Sequence, residues 1–267
     1  MNISDMLGDS FRYAISDYKK FLIFGIIVLL GNLYSVFQNW SLNGAILLIG
    51  SIVSLIFIFV VIGYLVNIVR NTINNVDELP ELDFGNNILD GIKAFILIFI
   101  YYIIPFIITL LVATLTGGLF AGIEILSVAF GAIENNVADL QTYLFNTIPQ
   151  STFETLFISI VITLIVGIIL FIVFSIFSSI AFARFSKYES LSEGLNFGEV
   201  FNDIKTIGTG KVISWLILLI IVIIVIGLIV GILNLVPYIG IVLGFLLGQS
   251  LLEIIFYRSL GLLYREA

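Results

Sequence analysis

Six stretches of this chain run apolar for about the length of a membrane crossing, and all but the last carry no charged side chain. They are Phe21–Phe37, Gly44–Val69, Ala94–Thr116, Thr155–Ala183, Val212–Leu233 and Ile239–Tyr257. About 20 apolar residues cover the roughly 30 Å of bilayer hydrocarbon, so each is long enough to span. No soluble fold hides that much apolar helix. The chain is 60% hydrophobic and 11% charged, against about 45–50% and 25% in soluble domains. We therefore expect an all-α polytopic membrane protein forming a single integral domain over residues 1–267.

The basic residues set the threading. With an internal N-terminus, the inner segments are 1–20, 70–93, 184–211 and 258–267. They contain Arg12, Lys19, Lys20, Arg70, Lys93, Arg184, Lys187, Lys205, Lys211, Arg258 and Arg265, which are all 11 basic residues. Basic residues concentrate on the cytoplasmic side, so both termini are expected there, in a cell membrane. A seventh apolar run, Gly117–Ile133, would place segment 184–211 outside if it spanned. Its Leu119, Ile123, Leu126, Phe130 and Ile133 recur at helical spacing opposite Glu124, Ser127 and Gly131, the pattern of a helix lying in the outer interface. A re-entrant loop is the alternative. Twenty mixed polar residues precede the first span, unlike a signal peptide.

Three inner segments lead into odd-numbered spans through amphipathic stretches. The first sets Leu7, Phe11, Ala14, Ile15 and Tyr18 against Asp9, Arg12, Ser16, Asp17 and Lys19. The second sets Phe84, Ile88, Ile92 and Phe95 against Asn86, Asn87, Asp90 and Lys93. The third sets Phe197, Phe201 and Ile204 against Glu199, Asn202, Asp203 and Lys205. Each even-numbered span leaves the membrane at an arginine (Arg70, Arg184, Arg258), where a cation complements a helix C-terminus and can snorkel. These features predict three two-helix units, 5–75, 82–191 and 195–267, with inner amphipathic interfacial helices. An outer insert, 117–154, interrupts the second. Each unit starts and ends inside, so the repeats are parallel rather than inverted. Gly8, Gly85 and Gly198 mark their common register.

Several local motifs together resemble the family called domain of unknown function 4013, archaeal multi-pass membrane proteins. They are Arg12-Tyr13 with Ser16-Asp17-Tyr18-Lys19-Lys20, and Gly63-Tyr64-Leu65 through Arg70. Asp77-Glu78-Leu79-Pro80-Glu81 follows, then Asp90-Gly91-Ile92-Lys93-Ala94, and finally Gly261-Leu262-Leu263-Tyr264-Arg265-Glu266. Leu262 departs from the pattern, where a basic residue is expected. The resemblance extends over nearly the whole chain and implies an archaeal cell membrane. It supplies no activity and no catalytic residues.

Chemistry has few candidates. There is no Cys and no His, which removes thiol, disulfide, imidazole and zinc-finger chemistry. A net charge of −7 is the wrong sign for nucleic acid. No Walker, G-x-G-x-x-G or G-x-S-x-G motif occurs. The acidic loop Asp77, Glu78, Glu81 and Asp83 offers oxygen ligands but lacks the EF-hand pattern, so a solvated loop turned by Pro80 is expected. Glu253 is the one ionisable residue well inside a span. Five residues from Arg258, it is read as an ion pair or snorkelling group near the interface. Asn32, Asn67, Asn234 and Gln249 are read as interhelical hydrogen-bonding groups. Asn39-Trp40-Ser41 is a sequon in a short loop. Gly227 and Gly231 are expected to pack against Gly240, Gly244 and Gly248, internally or as a homo-oligomer face, with Gly25 outside that contact.

No catalytic, cofactor-binding or metal-binding residue is assigned, and no cofactor is called for. The expected role is a non-enzymatic membrane scaffold or interaction protein, in contact with membrane lipids and a membrane-protein partner. A small solute transporter or channel-like permease is the alternative. Convergent polar residues on a central line would favour transport; an apolar core would favour the scaffold.

Overall fold

The computed structural model describes all residues, Met1–Ala267, and its regular elements are all helical. Two compact units are distinguished. One comprises Met1–Phe99 with Ile176–Ala267, the other Ile100–Ser175.

In the first unit, α1 (Ile3–Ala14) starts at Asn2, whose side chain accepts from the Asp5 amide, and buries Met6, Ser10, Tyr13 and Ala14. Asp17 then caps α2 (Tyr18–Gly31) by accepting from the amides of Lys19 and Lys20. The expected first span is broken. After Asn32 the chain turns by 64° into α3 (Leu33–Asn39). Freed backbone groups at such a break need new partners in an apolar medium. Ser54 supplies them: its hydroxyl accepts from the Tyr34 amide at 3.0 Å and donates to the Leu30 carbonyl at 3.5 Å. The Asn32 amide group bonds Val28 O within its own helix, so it is a bend residue rather than an interhelical one.

Asn43 caps α4 (Gly44–Ile73), a 30-residue helix of about 45 Å. The 32-residue α5 (Phe84–Leu115) begins behind Asp83, which accepts from the Asn86 amide and side chain. Here the expected second interfacial helix is not separate; its residues form the first turns of α5 itself. Nothing in Asp90-Gly91-Ile92-Lys93 breaks the helix. Gly91 is needed for contact, because a Cβ there would strike the Phe59 backbone, and one on Gly63 would strike Asn87.

Within the second unit, Gly117 adopts φ +79° and starts α6 (Gly118–Glu134), which packs with α7 (Leu140–Thr147). The apolar stripe Leu119, Ile123, Leu126, Phe130 and Ile133 is exposed at 38–68%, while Gly118, Ala121 and Ala132 face inward. Thr116 and Ser159 share a 2.5 Å hydrogen bond. Tyr102 and Phe171 stack at 5.9 Å.

A 39-residue helix, α8 (Gln150–Tyr188), leads to the short α9 (Leu191–Gly194) and to α10 (Phe197–Ile207). Gly208, at φ +96°, ends α10 and turns the chain into α11 (Thr209–Leu233). The last helix, α12 (Ile239–Tyr264), widens to π-helical geometry over Gly244–Gln249. That segment lies against α2, where Gly25 has no room for a Cβ beside the Leu246 carbonyl.

The glycine expectation is therefore only half met. Gly240 abuts Leu233 and Asn234, while Gly244 and Gly248 abut Val230. Gly227 and Gly231 face open space, and Gly25 makes the close approach instead. Five helices (α4, α5, α8, α11 and α12) are long and apolar enough to cross a membrane, and six crossings result if α2 and α3 form one bent span. Only 11–33% of the residues in their most apolar windows are buried within the protein. So much exposed Ile, Leu and Phe requires an apolar surrounding.

Candidate functional site

The polar chemistry of the first unit is organised around three arginines. They do not snorkel. Arg258 is 2% exposed and holds Asp9 at 2.9 Å and Asp77 at 2.6 Å. Its remaining donors reach Thr72 Oγ1 and the Val76 carbonyl, and it lies 4.3 Å over the Tyr13 ring. Arg184, 9% exposed, holds Glu193 at 2.7 Å and Asp203 at 2.9 Å. Tyr264 Oη donates to the same Asp203 at 2.7 Å. Arg70 holds Asp90 at 3.0 Å and Glu189 at 3.3 Å, and donates to Asn67 and the Ser186 carbonyl. Buried guanidinium groups are tolerated because each fork meets carboxylates and carbonyls that satisfy its donors. Arg184 and Arg258 also sit before the ends of their helices, so pairing, not the helix dipole, explains their placement.

The acidic loop keeps its four carboxylate residues exposed, as expected of a solvated turn, but its backbone is held by the surrounding helices. Leu79 is 1% exposed. Four carbonyls of the loop accept from different elements: Val76 from Arg258, Glu78 from Tyr13, Leu79 from Lys20 and Pro80 from Tyr64. Asp77 faces Arg258, whose hydrogen bond holds its carboxyl below the usual carboxylate range. Asp83 is also held low, by the Asn86 amide and side chain. Burial pushes the Tyr13 phenol up. Glu78 and Glu81 remain exposed. Asp77 and Asp83 thus do structural work separately, and no group of three or more His, Cys, Asp or Glu side chains is gathered to hold a metal ion.

Glu253 is the outlier. The expected Arg258 partnership does not form, because that arginine is committed to Asp9 and Asp77. Instead Glu253 Oε1 accepts from Gln249 Nε2 at 2.7 Å, and its Oε2 is buried without a partner. Glu253 lines a cavity of about 360 Å³ with Leu219, Val222, Ile223, Phe256 and Tyr257. Gln249 and Leu252 also border a second cavity of about 340 Å³ that reaches Gly227, Val230 and Asn234. Gln249 therefore bonds within α12, and Asn234 lines a cavity. Only Asn67 of the four amides bonds across helices, through Nδ2 to Asn87 Oδ1 at 2.8 Å.

Sequence reasoning singled out the three arginines and Glu253 but missed their partners. The Asp residues of the amphipathic stretches were the available signal. In the interior of the first unit Phe24 stacks on Tyr64 at 4.7 Å, and Ile68, Trp215, Ile254 and Ile255 are buried, together with Ser250, Ser259 and Arg258.

No curated protein and no solved structure matches the chain. A family model described as "Protein of unknown function (DUF4013)" matches residues 46–235. The match takes in Gly63-Tyr64-Leu65, the Asp77–Glu81 loop and Asp90–Ala94, and leaves both terminal motifs outside. Covering well over half of the sequence, it establishes that the chain belongs to the DUF4013 family.

Proposed function

We propose that this chain is a non-enzymatic scaffold or interaction protein of the cell membrane, crossing it six times with both termini in the cytoplasm. The apolar, glycine-tightened interior of the first unit carries the scaffold reading. Backbones approach at Gly63, Gly91 and Gly25, which favours a fixed platform over a conduit. Its partners are membrane lipids and a membrane protein or second copy, with no nucleic acid.

The threading has its own support. The Met1 amine lies 3.1 Å from Glu266, and adjacent termini require an even number of crossings. Inner segments are joined to one another through Tyr13 to Glu78, Arg70 to Ser186, Tyr264 to Asp203 and Lys211 to Glu266. On the opposite side, Trp40 Nε1 donates to the Tyr238 carbonyl. With every basic residue on the first side, that side is cytoplasmic. The exposed stripe of α6 then lies in the outer interface.

The arginine pairs also support the three-unit reading. Arg70 of the first two-helix repeat (5–75) reaches Asp90 of the second (82–191), and Arg184 of the second repeat reaches Asp203 of the third (195–267). Arg258 of the third returns to Asp9 of the first, closing a ring. Aligning the units on these aspartates shifts the first by four residues, about one helical turn, from the register marked by Gly8. An archaeal membrane is the setting the family resemblance implies.

Single cysteines test the threading. Positions 39, 136 and 238 should react with an impermeant maleimide in sealed cells, and position 75 should not. The reverse pattern would overturn the orientation. Native mass spectrometry from nanodiscs tests the role: a stoichiometric membrane-protein adduct supports the scaffold. The buried carboxylate of Glu253 favours the transporter as a second reading, and solute uptake abolished by Glu253→Gln would establish it.

A further inference from the structure

The Glu253 cavity combines three features that the scaffold role does not use. First, an intramembrane carboxylate has one oxygen bonded to Gln249 and the other buried without a partner. A lone carboxyl group in an apolar site is costly and calls for a compensating group. The nearest arginine along the helix, Arg258, is already engaged by two carboxylates. Second, Phe256 and Tyr257 line the same cavity, their rings in contact with each other at 5.0 Å. Aromatic residues beside a carboxylate are surroundings that suit a substituted ammonium group. Third, the adjoining cavity extends from Gln249 and Leu252 to Ile241 and Gly227, and a Cβ at Gly227 would meet nothing within 4 Å. From Glu253 to Ile241 the helix rises about 18 Å, over half of the roughly 30 Å hydrocarbon core.

We propose that this lateral groove between α11 and α12 binds a single-chain amphiphilic amine, with its ammonium group on Glu253 and its tail running past Gly244 towards Asn234. The terminal torsion of a glutamate is broad, so the carboxylate turns to the ligand, giving up the Gln249 bond, without movement of the helix. The π-helical segment Gly244–Gln249 shapes the wall of the tail channel, and such wide turns recur at functional sites. A diacyl ethanolamine lipid fits less well, since its phosphate would be drawn towards the same carboxylate. The site stands whether the chain scaffolds or transports.

The test uses the full chain in phosphatidylcholine nanodiscs, with hexadecylamine, hexadecanol, palmitate and phosphatidylethanolamine as probes. Bound adducts are counted by native mass spectrometry and melting is followed in parallel. Hexadecylamine should be retained at one per chain and raise Tm, with at least tenfold weaker retention of the other three. Glu253→Gln should lower amine retention at least tenfold without changing the melting of the unliganded protein. Gly227→Leu, which fills open space, should block the tail and lower retention while Glu253 is intact. Equal retention of hexadecanol or palmitate would reduce the site to an apolar groove and overturn the proposal. So would preferred retention of phosphatidylethanolamine, or undiminished amine binding in Glu253→Gln. Should Glu253→Gln fail to fold, Gly227→Leu with the four probes still decides the matter.

Discussion

Arg258 and Glu253 lie five residues apart on α12, yet they are treated in opposite ways. Arg258 is nearly inaccessible and spends its guanidinium on two carboxylates, a hydroxyl and a carbonyl. Glu253 has one neutral amide partner and a bare oxygen. A buried charge that is fully answered locks elements together, because removing either side strands the other. One answered by half contributes little to the fold and keeps its capacity for a ligand. The end of the first unit at Arg258 is thus read as architecture, and the groove at Glu253 as a place where something can bind.

The comparison is broken most directly at Arg258. Arg258→Ala leaves a void among α1, α4 and α12 and frees the loop at Val76 and Asp77. A loss of about 3–5 kcal/mol is expected, read as a lowered midpoint of unfolding in detergent. A variant as stable as wild type would show that the arginine pairs are decorative.

Next come the glycine contacts that set α12 in place. Gly25→Leu must displace the Leu246 backbone, whereas Gly244→Leu meets the movable end of Val230 at 3.0 Å. Overpacking costs about 1–3 kcal/mol, with Gly25→Leu at the upper end and Gly244→Leu below it. Thermal melting of both variants checks the order. Loss of a dimer with unchanged monomer stability in Gly244→Leu would instead make this face intermolecular.

Acid sharpens the comparison on a smaller scale. The carboxyl of Asp77 is held low by Arg258, so its contribution to stability is present above the ordinary Asp value of about 3.9. That contribution fades as the pH falls through the lower value of the folded protein. Asp77 is 76% exposed at its side chain, which limits the effect to about 1 kcal/mol or less. Unfolding of Asp77→Asn and wild type should differ at pH 6 and converge below the ordinary carboxylate range.

Smallest is Glu253→Gln. With no ion pair to lose, its stability should match wild type within about 0.5 kcal/mol, measured in the same detergent. A large loss would mean that Glu253 is structural after all.

Much of this was legible in the chain. The spans follow from run length, and the arginines and Glu253 stood out as charges at or within helices. The Ser54 patch on the broken first span was not legible, since Gly31-Asn32 reads as tolerable within an apolar run. Nor was the strapping of Asp77–Pro80 by Tyr13, Lys20 and Tyr64, because a carboxylate-rich loop carries the same signature whether its carbonyls face water or protein. The fused second amphipathic segment shows a finer limit. The same face pattern occurs in α10, which stops at Gly208, and in α5, which has no such stop and continues.

What the sequence determined by itself is the solvent of this protein, its helices and where its charge is kept, for these depend on local composition and the length of a helix turn. Tertiary structure alone decided that Arg258 meets Asp9 across 249 residues and Asp77 across 181, and that Gly25 rather than Gly227 receives a neighbour. In lipid, an apolar face gains nothing hydrophobic by turning inward, so the periodicity that marks buried faces in water is muted. Which faces meet is then settled by fit between backbones and by the few charges that must find partners, both properties of the assembled helices.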